Sequence, residues 1–509
     1  MNPVELSIFA NRMNAVCDEM GAVLQRAAFS PNIRDRLDYS CAVFDAQGEL
    51  CAQAAHIPVH LGSMAYAMRD IVRQIAWQAG DMVVVNDPYL GGTHLPDITL
   101  IAPVFVDEQL AGYVVNRAHH ADIGAHTPGS MPISRTLAEE GLVIPPQYLL
   151  RQGKLNHSLM QEILAATHNQ RIGQGDFAAQ ISANKTGVNR LSKLISQRGD
   201  GAYRQALTAL NDYGERLARS VLAEMPAGRY IFEDFMDDDG LGNTRLPIHL
   251  QLTISSKGVI ADFSGSAAQT AGNINCPLSV VAAAVYYVFR CLMPAQTPAC
   301  AGTFRPITIT VPAGCLLNAQ RPAAVAAGNV ETSMRIVDVV MGALAKAIPG
   351  MIPAASHGSM NNLAMGGERD GRFWDYYETM GGGMGAGPHY AGLDGVQAHM
   401  TNTRNTPIEV METTYPVRVR AYGLRAASAG TGRHIGGHGL YREIEFLAPA
   451  TVTVLSERRL LAPWGLQGGG DAQSGANWLN DRALPGKICC QVAKGDVLRI
   501  ETAGGGGWG

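Results

Sequence analysis

The sequence predicts a mixed α/β (α+β) fold with several lobes. The first third of the chain mixes helical and strand periodicity, the middle is mostly helical, and the later part has short strands separated by Gly, Asp and Pro. With 509 residues, 47% hydrophobic and 17% charged, the chain can bury a large core and is long enough for more than one domain. We expect a mixed α/β lobe (1–154), a helical segment (155–225), a mixed β/α lobe (226–400) and a Gly-rich β lobe (401–509).

Composition excludes several classes of function. The formal net charge is -4 and no long basic run is present, so we expect no binding to nucleic acid or to an anionic membrane surface. No run of about 18 apolar residues is present, which argues against a membrane span. The first residues resemble an amphipathic helix rather than a signal peptide, and the nine cysteines form no C-x-x-C pair, so we expect a cytoplasmic protein.

The first third begins with a long helical pattern and continues with alternating short elements. We expect a helix near 3–28, a pair of strands at 38–45 and 49–55, a helix over 59–79 and a buried strand at 81–87.

The rest of the chain changes from helix to strand. Residues 155–222 have helical periodicity, and short strands begin near residue 228, interrupted by helices at 277–292 and 331–347. The last 100 residues are predicted to be all-β.

Glycine is concentrated late in the chain. Four segments are rich in it, at 380–388, 432–439, 465–470 and 503–509. Such segments provide turns and close backbone packing, or they cradle a ligand, and the pattern leaves both possibilities open. None has the spacing of a phosphate-binding loop, so we do not expect this chain to bind ATP alone.

The stretch NDPYLGGTHLPD (86–97) places His94 and Asp97 in a segment too rich in Gly and Pro to be a regular helix. Two strand-like runs follow, joined by a polar turn at Glu108 and Gln109, and the second run ends at His119 and His120. In a hairpin closed by that turn, Asp97 faces His119 or His120. The histidines and the carboxylate therefore meet at the open end of the hairpin.

Imidazole and carboxylate groups in this arrangement suit a divalent cation such as Zn²⁺, Mn²⁺ or Fe²⁺. The alternative is that these histidines cap turns and bond backbone carbonyls. Pro103 within the first strand limits that strand to an edge or a bulge, because proline cannot donate to the ladder. Five nearby polar residues are weaker candidates for completing the site: Asp35, Asp38, His56, His60 and Asp122. No Gly-x-Ser-x-Gly nucleophile motif is present, which favours water as the nucleophile.

The chain resembles the hydantoinase B/oxoprolinase family, the HyuB-type subunit of ATP-dependent hydantoinases, 5-oxoprolinases and related carboxylases. The resemblance runs nearly end to end and rests on a dozen motifs in order, among them RLDYSCAVFDAQGEL, NDPYLGGTHLPDITLIAPVF, HHADIGAHTPGSMP, AAGNVETSMRIVD, YYETMGGGMGA and the terminal GGGGWG.

The resemblance implies a metal site and a division of labour. His94, Asp97 and His119 match the motif positions of the metal ligands, Asp38 is expected as a further carboxylate ligand, and His120 and Asp122 are expected beside them as catalytic residues. A separate HyuA-type subunit is expected to hold ATP and Mg²⁺ in a hetero-oligomer.

The implied reaction is opening of a cyclic amide such as a hydantoin, an N-methylhydantoin or a 5-oxoproline-like ring. Phosphorylation of the carbonyl oxygen at the partner makes the ring carbon electrophilic, and water held on the metal attacks it. Two alternatives are a subunit of an ATP-dependent acetone or acetophenone carboxylase and a non-catalytic scaffold for the ATPase subunit.

Overall fold

The computed structural model describes residues 1–54 and 57–509; the candidate His56 lies outside them. The described residues form nine α-helices: α1 (Pro3–Ala27), α2 (Pro31–Arg34), α3 (Pro58–Arg73), α4 (His157–Ala165), α5 (Gln170–Arg198), α6 (Asp200–Ala223), α7 (Leu278–Leu292), α8 (Ser333–Ala347) and α9 (Ile408–Thr414).

Twenty β-strands are found in the same residues. In the first half of the chain they are β1 (Tyr39–Asp45), β2 (Leu50–Gln53), β3 (Met82–Val85), β4 (Asp97–Val106), β5 (Gln109–His119), β6 (Gln147–Arg151), β7 (Lys154–Leu155), β8 (Gly228–Asp238), β9 (Thr244–Ser255) and β10 (Gly258–Asp262). In the second half they are β11 (Ile307–Thr310), β12 (Asn362–Arg369), β13 (Arg372–Glu378), β14 (Val417–Leu424), β15 (Leu440–Phe446), β16 (Ala450–Leu455), β17 (Ala476–Leu479), β18 (Arg482–Leu484), β19 (Lys487–Val492) and β20 (Val497–Glu501).

These strands form four sheets. A seven-stranded sheet has the order β2-β1-β5-β4-β3-β6-β7, and a four-stranded sheet has the order β11-β10-β9-β8. The later strands form a four-stranded sheet, β13-β12-β16-β19, and a five-stranded sheet, β14-β15-β20-β17-β18. The mixed α/β fold is thus confirmed.

Two hydrophobic cores cover the two faces of the seven-stranded sheet. On one face α1 and α5 pack together against β1, β4 and β5. On the other face α3, α7 and α8 join the sheet to β8 and β9. The helix α1 begins where the sequence provides a capping box, with Asn2 and Glu5 bonding each other's backbone and Pro3 at the first helical position. No helix of the described residues has the length and apolar character needed to cross a membrane.

The predicted hairpin is confirmed. Strands β4 and β5 are antiparallel neighbours, and Asp97 pairs with His119. Pro103 was expected to limit β4 to an edge or a bulge. In the structure β3 pairs with β4 only from Thr99 to Ile101, and the pairing of β4 with β5 shifts register after Val104. Pro103 therefore lies beyond the residues of β4 that pair with β3, where its missing N–H removes no hydrogen bond to β3.

The structure corrects two details of the sequence-based assignment. The last 100 residues are not all-β, because α9 (Ile408–Thr414) precedes the five-stranded sheet. The segment NDPYLGGTHLPD contains one regular turn, a 3-10 helix at Pro88–Leu90. The other helices of the middle region lie where they were expected, and α8 is preceded by a π-helical turn at Gly328–Thr332.

The glycine-rich segments pack backbone to backbone. The amide of Gly505 donates to the carbonyl of Gly437, whose own amide donates to the carbonyl of Met384. The amide of Gly430 donates in turn to the carbonyl of Gly505. These hydrogen bonds join three of the late segments. The backbones lie so close that a Cβ at Gly437 or Gly505 would overlap a neighbouring backbone atom. This favours close backbone packing over ligand binding as the role of the glycines.

Candidate metal centre

Asn86 fixes the loop that precedes β4 through three side-chain hydrogen bonds. The side-chain Nδ2 of Asn86 donates to the carbonyls of Leu95 and Leu142, both at 2.9 Å, and its Oδ1 accepts from the amide of Ile144 at 2.7 Å. Asn86 is fully buried, so these bonds replace the water that its amide would otherwise bind. The backbone between Asn86 and Leu95 must therefore form a closed loop, which carries His94 to the start of β4.

A second anchor fixes the crest of this loop. Gly91 has a φ of +100°, a conformation that L side chains rarely adopt, and its carbonyl accepts a bond of 3.2 Å from the buried guanidinium of Arg117. Arg117 also donates to the hydroxyls of Thr99 and Ser63. A buried arginine in β5 thus ties the loop to the same strand that ends in His119.

His94, Asp97 and His119 meet at the open end of the hairpin and could hold a metal ion. They offer one ligand atom each, and these atoms lie within 4.8 Å of one another. Asp97 Oδ1 lies 3.2 Å from Nε2 of His94 and 3.2 Å from Nδ1 of His119. Two ligand atoms about 2.1 Å from a tetrahedral cation are about 3.4 Å apart, so the spacing of His94 Nε2 and Asp97 Oδ1 fits one shared ion. The three side chains are at most 3% exposed.

The hydrogen bonds of the two histidines leave one nitrogen of each ring available. Nδ1 of His94 lies 3.2 Å from the carbonyl oxygen of Ala326, which can only accept, so this nitrogen carries the proton in the neutral ring. Nδ1 of His119 faces the carboxylate of Asp97. The Nε2 atoms of both rings are buried and make no hydrogen bond. Nε2 of His94 nevertheless faces the carboxylate of Asp97, at 3.2 Å from its Oδ1. Two imidazole nitrogens beside a carboxylate suit a divalent cation.

Asp97 is the central group of the site. Its second oxygen, Oδ2, accepts from the hydroxyl of Thr93 at 2.5 Å, lies 3.2 Å from Nε2 of His60 and lies 3.4 Å from Nδ2 of Asn329. Burial alone would raise the pKa of the Asp97 carboxyl, but His60 and His94 beside it hold the pKa well below its usual value. The carboxylate is therefore ionised and able to bind a cation.

His94 and His119 differ in their electrostatic surroundings. Burial lowers the pKa of both rings. For His94 the charge of Asp97 more than offsets that effect, so its pKa is raised, whereas the pKa of His119 stays lowered.

Asp38 lies close to this group but faces other partners. Its carboxylate is 3.9 Å from Nε2 of His60 and 3.8 Å from a guanidinium nitrogen of Arg36. Its backbone carbonyl accepts from the amide of His119 at 3.0 Å, which places Asp38 directly beside the end of β5. Its role as a further ligand stays a prediction. Of the weaker candidates, His60 contacts the site and Asp35 pairs with Arg34.

His120 and Asp122 lie on a different side of the hairpin end. Nε2 of His120 is 3.0 Å from Oε1 of Gln180, and its ring packs on Phe177 of α5. Asp122 accepts backbone amides, including that of Asn169 at 3.0 Å. Both line a cleft between α5 and β13. The structure does not bring their side chains into the three-residue group, and their catalytic roles stay predictions.

Sequence reasoning missed three residues that contact the group. Thr93 binds Asp97, Asn329 of the π-helical turn reaches the same carboxylate, and Tyr377 of β13 stacks on His119. Asn329 and Tyr377 belong to the motifs AAGNVETSMRIVD and YYETMGGGMGA. The two motifs marked these segments as part of the family resemblance. Because they lie far from His94 along the chain, the sequence did not show that they contact the site.

Comparison with known proteins gives consistent results over the whole chain. A family model described as Hydantoinase B/oxoprolinase matches residues 2–509. The chain is 41% identical to 5-oxoprolinase 1 of Arabidopsis thaliana over 99% of its own length but 42% of that protein. It is 30% identical to the B-type subunit of a putative D-/L-hydantoinase of Pseudomonas sp. (strain NS671), over 100% of this chain and 90% of the bacterial one. The chain thus spans less than half of the plant relative and nearly all of the bacterial relative.

The fold matches a solved structure equally well. The crystal structure of an ATP-dependent caprolactamase from Pseudomonas jessenii superimposes with a TM-score of 0.92 at 26% identity, covering 100% of this chain and 91% of that one. From the length of the family match and these identities, we conclude that the chain belongs to the Hydantoinase B/oxoprolinase family.

Proposed function

We propose that this chain is the metal-bearing subunit of an ATP-dependent amidohydrolase that opens cyclic amides. The relatives named above are a 5-oxoprolinase, part of a putative hydantoinase and an ATP-dependent caprolactamase, and the substrates in these names are all cyclic amides. The observation that carries the proposal is the buried group of His94, Asp97 and His119, in which Nε2 of His119 makes no hydrogen bond and Nε2 of His94 faces the Asp97 carboxylate.

The residues of the site have defined tasks in this reaction. A divalent cation bound there would supply hydroxide near neutral pH and polarise the ring carbon's oxygen substituent. His94 and His119 present their Nε2 lone pairs because an oxygen acceptor holds Nδ1 of each. Asp97 would supply negative charge to the cation, and because Asp97 is fully buried, bulk water does not compete for its carboxylate.

Activation of the amide is assigned to a partner. A lactam carbonyl is a poor electrophile, and conversion of its oxygen to a phosphate ester makes the carbon reactive. This chain has no Gly-x-x-x-x-Gly-Lys-Ser/Thr sequence. We therefore propose that ATP and Mg²⁺ bind to a HyuA-type subunit, and that the two chains work as a hetero-oligomer.

The test is the His119→Ala variant in the complex reconstituted with the HyuA-type subunit. We expect loss of stoichiometric divalent metal and a fall in ring opening on the order of 10² or more, because one ligand is removed from the cation. Metal content is measured by elemental analysis, and ring opening of 5-oxoproline, hydantoin and caprolactam is measured with ATP. His157→Ala, an exposed histidine at the start of α4, is the control.

Near-normal ring opening by a variant shown to be metal-free would refute the catalytic role of the metal. A parent chain that purifies without stoichiometric metal would favour the scaffold alternative. ATP consumption that requires bicarbonate and a ketone, with no ring opening, would assign the complex to the carboxylases instead.

A further inference from the structure

Tyr377 covers the ring of the ligand His119. The two ring centroids are 4.5 Å apart and the ring planes differ by 16°, so the rings are stacked. Tyr377 belongs to β13, in a different sheet from His119, and is 1% exposed. A stacked, buried ring restricts rotation of the imidazole about its Cβ–Cγ bond, which is the rotation that would move Nε2.

The hydroxyl of Tyr377 is itself held in place. It donates to Oδ1 of Asn362 at 2.8 Å, and Nδ2 of Asn362 donates to Oε1 of Glu331 at 2.6 Å and to the carbonyl of Leu455 at 2.8 Å. Both partners of Nδ2 are acceptors, so the amide of Asn362 can have only this orientation. Glu331 lies in the π-helical turn that also carries Asn329 to Asp97.

The other end of Tyr377 is fixed by Arg36. The guanidinium lies over the tyrosine ring at 5.1 Å from its centroid and donates to the Tyr377 carbonyl at 2.9 Å. Arg36 is fully buried, and its nearest carboxylate is that of Asp38, at 3.8 Å. The tyrosine is thus held at its backbone, at its ring and at its hydroxyl.

We propose that Tyr377 is a positioning residue for His119, and that Asn362 and Glu331 hold it in position through its hydroxyl. The inference rests on the metal site proposed above. It assigns the orientation of His119 partly to the later sheet β13-β12-β16-β19, to which none of His94, Asp97 and His119 belongs. Groups that orient metal ligands in this way are commonly worth 10- to 100-fold in metal affinity.

The experiment measures Co²⁺ binding and the visible absorption spectrum of the Co²⁺-loaded full chain. Tyr377→Leu, which loses the stack, should bind Co²⁺ roughly 10- to 100-fold more weakly and show a shifted spectrum. Tyr377→Phe keeps the stack and should show a smaller loss. Tyr376→Phe is the matched control, because Tyr376 is an equally buried neighbour in the same strand whose ring contacts Tyr415.

A double variant tests the hydroxyl connection. Tyr377→Phe and Asn362→Leu each remove the same hydrogen bond, so the affinity loss of the double variant should equal that of the larger single loss rather than their product. Because Tyr377→Phe preserves the packed ring, this comparison tests the part of Tyr377 positioning that depends on its hydroxyl even if Tyr377→Leu fails to fold. Unfolding temperatures of all variants separate general destabilisation from a change at the metal.

The possible outcomes are distinct. An unchanged Co²⁺ affinity and spectrum in a folded Tyr377→Leu chain would overturn the positioning role while leaving the metal site intact. Fully multiplicative losses in the double variant would refute the hydroxyl connection. A parent chain that binds no Co²⁺ would instead refute the proposed metal site itself.

Discussion

At the scale of single residues, one carboxylate organises the site. Asp97 lies within 3.4 Å of His60, His94, His119 and Asn329, and it accepts the hydroxyl of Thr93. His94 and His119 face Oδ1 of this carboxylate, and the other three partners face Oδ2. Thr93, His60 and Asn329 therefore fix the carboxylate while leaving Oδ1 directed at the position that a shared cation would occupy.

Asp38 provides the first prediction at this scale. If it supplies a further ligand, Asp38→Asn should weaken divalent metal binding about 10-fold or more, because a neutral amide oxygen replaces a carboxylate. The measurement is a metal titration of the isolated chain. Asp35→Asn serves as the control, since Asp35 pairs with the partly exposed Arg34. Equal metal affinity in both variants would remove Asp38 from the ligand set and leave it as a partner of Arg36.

The meeting of Asp97 and His119 could be predicted from the sequence because it depends on local strand pairing. A short polar turn fixes the register of a hairpin, and the register alone brings Asp97 opposite His119. The contacts of Asn329 and Tyr377 depend on how separate sheets and helices pack together. Spacing along the chain carries no information on such packing, so these residues emerged only from the structure.

At the scale of elements, the glycine segments illustrate a similar limit. Their composition was consistent with either packing or ligand binding, and only the hydrogen bonds between segments favour packing. The short helix α9 was missed because its seven residues give too few turns for a periodic signal. The long helices α1, α5 and α6 were found because each spans many turns.

The glycine packing predicts a strong effect of one added methyl group. In Gly505→Ala the new Cβ would lie 2.0 Å from the carbonyl oxygen of Met384, a backbone atom that cannot move without breaking other bonds. We expect the free energy of unfolding to fall by at least about 2 kcal/mol. The free energy of unfolding of both chains is measured by chemical denaturation.

The control for this prediction is another glycine of the same chain. Gly201, in α6, has no atom within 4 Å of the position that a Cβ would take, so Gly201→Ala should change stability by no more than about 1 kcal/mol. Similar stability of the two variants would show that the glycine segments separate easily and that their packing contributes little.

At the scale of the whole molecule, buried charge joins parts of the chain that are distant in sequence. Arg335 and Asp338 of α8 meet Asp234 of β8 and the fully buried Arg458, which follows β16. Lys487 of β19 pairs with Glu457 in the same region. Removing one member of such a network leaves an uncompensated buried charge, so the helices and the later sheets are expected to unfold together.

His357 gives this cooperative structure a pH dependence. It is fully buried next to the glycine segments, and burial, with Arg459 nearby, lowers its pKa to about 4. In the unfolded chain a histidine has a pKa of about 6.5. Between these values the unfolded state binds a proton that the folded state excludes, so His357 destabilises the fold progressively as the pH falls below about 6.5.

We therefore expect the stability difference between the parent chain and His357→Gln to change with pH. Glutamine does not titrate, so the parent should lose on the order of 2 kcal/mol relative to the variant between pH 7 and pH 5. Denaturant unfolding at both pH values measures this, and comparison within each pH cancels the contributions of all other titrating groups. His157→Gln, at an exposed site, should show no such change. A pH-independent difference for His357→Gln would contradict the lowered pKa, because it would mean that the His357 ring binds protons equally in the folded and unfolded chains.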